Sequence, residues 1–251
     1  MQNKTVLITW ATSGIWKELV YKYIEEWYIV VATWRNTDKL TKLSKEINNK
    51  KIVYHKCDLT LDKDIWLLVD FLKSEDIFID ILINNAGVGI FKSFIKVSKK
   101  DINTMFYTNL LWHISLTQAI LKQRSIKNIC FISSLAWKVG FADLSVYSAT
   151  KFAIEWFCDA LREELISSNI KVTVIRPWIV DTSFFDDTDF IDYANQIRPK
   201  MQTSHLVADK TYLAIKEGYP EYTIGSDKYF LFLQKILPKL IHRRLLKLFI
   251  N

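Results

Sequence analysis

Tyr147 and Lys151 stand four residues apart in Tyr147-Ser148-Ala149-Thr150-Lys151, at the start of a stretch with helical periodicity. That spacing puts the phenol and the ammonium on one helical face, close enough to interact. A phenol with its ordinary pKa near 10 is a poor acid or base at neutral pH, and a neighbouring cation favours phenolate and draws that value toward the working range. Such a pair is suited to moving a proton on and off an oxygen atom. Taken alone it also fits an ordinary surface helix, so the reading depends on what converges with it.

Three further groups converge. Thr9-Trp10-Ala11-Thr12-Ser13-Gly14-Ile15-Trp16 ends an apolar run and opens a helical pattern near Lys17. A strand, a tight turn and a helix N-terminus make an anion site, because free N–H groups and the helix dipole point at a phosphate. Asn84-Asn85-Ala86-Gly87 and Ser133-Ser134 each follow or close another apolar run.

The elements that must position these groups are legible. Runs at 5–9, 28–33, 52–55, 79–84, 128–133 and 171–176 read as strands, with helix-length segments between them. Strands this apolar on both faces suit a parallel sheet covered by helices on each side, so the expected fold class is α/β: a doubly wound, Rossmann-like sheet in a single domain. Such sheets bind ligands at the C-terminal strand ends, where all the groups above fall. The domain is expected over 1–225. Residues 183–204, aromatic, acidic and poorly periodic, read as a lid over a pocket or as a plain surface connection, and 226–251 as a basic extension.

With these motifs in this order, the sequence resembles the short-chain dehydrogenase/reductase family. The resemblance is carried by Thr9 to Trp16 (family T-G-x-x-x-G-x-G), Asn84 to Gly87 (N-N-A-G), Ser134, Tyr147 and Lys151, and runs from about residue 4 to 182. It implies that Tyr147 protonates a carbonyl oxygen as hydride arrives, or acts as base in reverse, and that Ser134 hydrogen-bonds the same oxygen. Lys151 would lower the tyrosine pKa and bind the nicotinamide ribose. Asn109 would complete a proton relay through water.

The resemblance also implies a dinucleotide held by Thr9, Thr12, Ser13, Gly14 and Ile15 at the phosphates and by Asp58 and Leu59 near the adenine. Asn85 and Ala86 would line the adenosine side, Gly87 would also contact the cofactor, and Pro177, Ile179 and Thr182 would hold the carboxamide, with Tyr147 and Lys151 at the ribose. The second strand ends Ala32-Thr33-Trp34-Arg35-Asn36, without the acidic residue that accepts from a free 2′-hydroxyl. Arg35 offers a cation to a 2′-phosphate, so NADP is expected rather than NAD. Family membership further implies a homodimer or homotetramer built on the helices containing Asn109 and Tyr147.

The sequence departs from the family at its glycines. Trp10 and Trp16 replace phosphate-loop glycines, and Trp27, Trp34, Trp112, Trp137, Trp156 and Trp178 also fall at family glycine places, leaving only Trp66 uninformative. The chain has 9 Trp and 6 Gly. UGA means tryptophan in some genetic codes and glycine in others, and the Lys/Ile/Asn/Tyr-rich composition suggests an AT-rich genome. Read as glycine, the nine would raise Gly to about 6%, near the usual 7%. If the tryptophans are real, Trp10 and Trp16 fill the pyrophosphate site and the chain is a non-catalytic Rossmann scaffold. A third reading, within enzymes, is a reductase of carrier-linked 3-oxoacyl chains.

Composition bounds the rest. Of 251 residues 50% are hydrophobic and 24% charged, as in one globular domain. Cys57, Cys130 and Cys158 sit in apolar runs without paired spacing and read as buried thiols of a reducing compartment. Neither a signal peptide nor a membrane-spanning stretch is legible, so a cytoplasmic location is expected. His113 and His205 read as ordinary helix residues, and no metal site is expected. The net charge is +7, and 226–251 holds six Lys/Arg against one Asp, which leaves only +2 for the body and argues against nucleic-acid binding. Within that tail, 239–250 has the pattern of a basic amphipathic helix, suited to peripheral membrane contact or to packing on its own domain. The expected partner is a small carbonyl or alcohol substrate, and the aromatic residues Phe184, Phe185, Phe190 and Tyr193 suggest an apolar one.

Overall fold

The computed structural model describes residues 4–10, 14–123, 125–137, 140–182, 184, 191, 195 and 198–225. The expectations for Thr12 and Ser13, for Phe185, Phe190 and Tyr193, and for the tail at 226–251 with its helix at 239–250 lie outside the described residues.

The chain alternates β1 (Thr5–Thr9), α1 (Ile15–Glu25), β2 (Ile29–Trp34), α2 (Thr37–Ile47), β3 (Ile52–Lys56), α3 (Asp62–Ser74) and β4 (Ile81–Asn84). There follow α4 (Lys99–Phe106), a π-helical turn (Tyr107–Leu111), α5 (Trp112–Leu121), β5 (Asn128–Ile132), α6 (Ser145–Glu164), β6 (Lys171–Pro177), α7 (Ser204–Glu217) and β7 (Glu221–Ile224). Seven strands form one parallel sheet in the order β3-β2-β1-β4-β5-β6-β7. The order reverses between β1 and β4, which opens a crevice at their C-terminal ends. The six expected strands are present with ends shifted by no more than two residues. The seventh, Glu221–Ile224, was not expected: it is a four-residue edge strand in which only Ile224 is buried, too short for a periodic signal.

Alternate side chains of each strand feed the two cores. Leu7, Val31, Leu82, Phe131 and Val174 face α3, α5 and α6, while Val6, Ile8, Val30, Ile83 and Ile175 face α1 and α7. Short polar side chains cap the starts of α2, α4 and α7. Ser98 accepts from the Asp101 N–H and Asp101 accepts from the Ser98 N–H, a reciprocal cap on α4. Thr203 caps α7, which Gly218 closes in a left-handed conformation. At the buried end of β6, Arg176 is 2.7 Å from Glu155 of α6 and 2.6 Å from Glu221 of β7, tying helix to sheet edge. No helix among the described residues is long and apolar enough to cross a membrane. All three cysteines are buried thiols.

Candidate active site

α6 begins at Ser145, so Tyr147 lies in its first turn and Lys151 one turn further on. Both are buried, at 9% and 3% exposure. Ser134, just past the end of β5, lies beside the Tyr147 hydroxyl and lines the same cavity, and its own hydroxyl accepts from the Ala136 N–H at 3.2 Å. Lys151 Nζ donates to Ile132 O at 3.0 Å and lies 5.8 Å from the centre of the Tyr147 ring. Burial pushes the tyrosine up to about 12, with the Ser134 hydrogen bond pulling the other way. The lysine is brought down to about 8 by burial, against the pull of Glu155. The expected lowering of the phenol by the ammonium is therefore not the governing effect in this arrangement. The cation is anchored on a carbonyl, and desolvation sets the tyrosine.

Asn109 sits within the π-helical turn, an irregularity frequent at functional sites. Its side chain accepts from the Val88 N–H at 2.8 Å and donates to Val88 O at 2.9 Å and Thr150 Oγ1 at 3.0 Å. That amide clamps the strand running out of Asn84-Asn85-Ala86-Gly87 onto α6. Both amide N–H groups of Asn109 are thus engaged in holding these segments together. His113, read from sequence as an ordinary helix residue, also holds this turn: its Nε2 is 2.9 Å from Ala86 O, and burial holds the imidazole neutral with its pKa down to about 3. As a neutral ring bonded to a carbonyl, it must donate from Nε2. A lone histidine in a helical pattern carries no signal that would have revealed this.

Two cavities open at the crevice. One, about 440 Å³, is lined by Ser134, Tyr147, Lys151, Asn85, Gly87 and a mostly apolar wall that includes Phe91, Phe141, Leu144, Ile179 and Phe184. The other, about 670 Å³, is lined by Arg35, Asp58, Leu59, Ala86 and their neighbours. Trp10 and Trp34 line both.

Against known proteins, residues 4–189 match the family of short chain dehydrogenases. The chain belongs to that family. It is 31% identical over 213 residues to an uncharacterized oxidoreductase of Staphylococcus saprophyticus, covering 79% of this chain and 86% of that one. It is 32% identical over 193 residues to an NADP-dependent 3-hydroxy acid dehydrogenase of Schizosaccharomyces pombe, covering 73% and 74% of the two chains. Among solved structures it is similar to the closed form of a serine dehydrogenase complexed with NADP+, with a TM-score of 0.79, 26% identity, and 88% and 94% of the chains covered. The protein is an oxidoreductase of the short chain dehydrogenase family, with its seven-stranded doubly wound sheet in a single domain.

In this short chain dehydrogenase most of the expected site residues meet at the crevice. Gly14, Ile15, Pro177, Ile179, Thr182 and Gly87 line the cavity that holds Tyr147, and Arg35, Asp58, Leu59 and Ala86 line the other. Asn85 is expected on the adenosine side but lines the tyrosine's cavity instead. Gly14 caps α1 at φ 58, and a β-carbon there would stand 2.9 Å from Thr182 Cγ2, so only glycine lets the two segments meet. Thr9 touches neither cavity: its hydroxyl donates to Ile83 O and accepts from the Asn85 N–H, so it aligns the turn rather than a ligand. Sequence reasoning missed Lys39, Phe91, Phe141 and Leu144, whose membership in the wall depends on loop geometry.

The two ends of the crevice fit a dinucleotide. Asn85 is 2% exposed, yet among the described residues neither its Oδ1 nor its Nδ2 has a partner, an arrangement that calls for a ligand's polar groups. The middle does not fit. Trp10 lies with its ring centre 4.9 Å from that of Trp34 and 6.3 Å from that of Trp16; Trp10 and Trp34 line both cavities and Trp16 lines the one that holds Tyr147, so indoles crowd the ground a dinucleotide spanning the two would need.

Proposed function

We propose that the protein reduces an apolar ketone or aldehyde, or oxidises the corresponding secondary alcohol, with NADP(H) as hydride carrier. The observation that carries this reading is the Ser134–Tyr147–Lys151 group, its tyrosine and lysine buried, lining a mostly apolar cavity. When bound, a nicotinamide dinucleotide supplies or accepts the hydride. The protein's own residues handle the oxygen. Ser134 hydrogen-bonds it, and Tyr147 Oη delivers its proton as the carbonyl becomes an alcohol, or removes it in the reverse direction. Lys151, a buried cation beside the phenol, favours the form in which the tyrosine has given up its proton. Phe91, Phe141, Leu144 and Phe184 exclude water and favour an apolar substituent. Ring centres of Phe184 and Tyr147 are 5.7 Å apart, so Phe184 covers the phenol directly.

Arg35, at the end of β2 on the rim of the larger cavity, supports NADP over NAD. The NADP+ complex among the structural neighbours and the NADP-dependent relative support the same choice. Protein purified from its own cell is expected to consume NADPH with medium-chain ketones at least tenfold faster than NADH at equal concentration, since a guanidinium–phosphate contact contributes about 1.5–3 kcal/mol. Equal rates with the two carriers would remove Arg35 from this role.

A homodimer or homotetramer is the reading favoured for assembly. Tyr107 and Leu111 on the π-helical turn, and Phe152 and Trp156 on the adjoining α6, are all exposed, at 50%, 41%, 47% and 62%. Large apolar residues grouped on neighbouring helices are suited to burial against a second copy. Phe152→Glu is expected to shift the protein to monomer in light scattering, and an unchanged mass would place the interface elsewhere.

A further inference from the structure

Nine described residues have φ between 39° and 120°, the left-handed side of the backbone map. Seven of them are Gly14, Gly218, Gly225, Asn48, Asp76, Asp143 and Asn169, the three residue types that enter that region at least cost. The other two are Trp10 at 63° and Trp27 at 67°.

Trp27 can be compared with two equivalents in the same chain. α1 ends in a closing motif where the Tyr28 N–H donates to Tyr23 O and the Trp27 N–H to Ile24 O. α3 ends likewise, with Ile77 donating to Leu72 O and Asp76 to Lys73 O, and so does α7, with Tyr219 donating to Ala214 O and Gly218 to Ile215 O. The left-handed position of this motif is usually glycine. In the three helices it holds Trp27, Asp76 and Gly218. Trp27 is 74% exposed, with its ring under Lys51, so no packing need explains an indole there.

Trp10 and Trp16 make the second observation. Trp10 directly follows β1, Trp16 is the second residue of α1, their ring centres are 6.3 Å apart, and Trp10 lines both cavities while Trp16 lines the one that holds Tyr147. A dinucleotide reaching from Arg35 to Tyr147 must cross that ground, and backbone N–H groups at a helix start can hold its phosphates only if no large side chain intervenes.

We infer that residues 10, 16 and 27 are glycine in the protein its own cell makes, their codons being UGA translated as glycine. For residues 10 and 16 the inference rests also on the dinucleotide reading above. Residue 27, remote from the crevice, rests on the backbone alone.

The deciding experiment is tandem mass spectrometry of tryptic peptides 5–17 and 23–35 from the native cell. Each residue 10, 16 and 27 is expected to be lighter than tryptophan by C9H7N, and tryptophan at any one of them overturns the inference. A second measurement uses the chain expressed as written, with tryptophan at all three positions. Trp27→Gly is expected to raise its melting temperature by about 3 °C or more, while Trp27→Ala, which also removes the ring but keeps a β-carbon at positive φ, does not. Equal melting of the two variants would overturn the backbone argument. Replacing Trp10 and Trp16 together by glycine is expected to tighten NADPH binding, followed by its fluorescence, on the order of a hundredfold. Unchanged, measurable affinity would overturn the claim that the indoles hold the phosphate passage. If glycine masses are found and no form binds NADPH, the cofactor reading fails and the residue identities stand.

Discussion

Tyr147→Phe, made in the chain that carries glycine at residues 10, 16 and 27, is expected to lower kcat for carbonyl reduction by about a thousandfold or more, with NADPH affinity unchanged. The substitution removes one oxygen and nothing else of size. The ring keeps its neighbours in the cluster that includes Phe91, Met105 and Leu144, and it stays beneath Phe184. Ser134 keeps its hydrogen bond from the Ala136 N–H, so the substrate oxygen still meets one hydroxyl. What is lost is the proton, which must then come from water in a cavity walled largely by apolar side chains. Because removal of the proton donor acts on the transition state alone, kcat and kcat/KM should fall together. Single-turnover rates with pre-bound NADPH check this without interference from product release. A variant that keeps most of its rate would mean that another group protonates the product, and Tyr147 would be left as part of the pocket wall.

Much of this arrangement was legible because the chemistry depends on chain order and on strand ends. Tyr147, Lys151 and Ser134 announce themselves by type and spacing, and the parallel sheet brings their segments together without further information. Roles were harder to read than places. Thr9 lies in the phosphate-loop motif, yet its buried hydroxyl is used up between Ile83 and Asn85. Asn109 belongs to the site, but the sequence gives no sign that its amide would bond to Val88 and Thr150, since that depends on the extra residue of a π-helical turn. His113 was hidden for the opposite reason: its bond to Ala86 O joins residues 27 apart that no local pattern links. The tryptophans needed both levels. Their count beside six glycines raised the question, and only backbone angles separated Trp10 and Trp27 from indoles that simply pack in a helix or core, such as Trp112.

Lys151→Met should abolish turnover and, at pH 7, raise the melting temperature. The lysine is fully enclosed by Ile132, Tyr147 and the Gly87 turn, where a β-carbon at Gly87 would be 3.4 Å from its Nζ. Burial lowers its pKa from an ordinary 10.5 to about 8. The unfolded chain therefore holds this proton more tightly than the folded one. Below pH 8 the buried ammonium costs about 3 kcal/mol, and that cost is relieved as pH rises from about 8 to 10.5. Methionine has a similar length and no charge to desolvate. It forfeits the hydrogen bond to Ile132 O, worth roughly 1 kcal/mol or somewhat more, so the net gain at pH 7 should appear as a rise of about 5 °C. The difference between the two proteins should shrink as pH climbs from 8 to 10. Tyr147, raised from 10 to about 12, contributes stability that begins to fall only above about pH 10, beyond the window in which the two proteins are compared. Differential scanning fluorimetry across that range would read the sign directly. A lower melting temperature at pH 7 would make Lys151 a structural residue held by its carbonyl bond. A higher one, with turnover gone, would show a cation kept in the core at the expense of stability, which is the signature of a group retained for its chemistry.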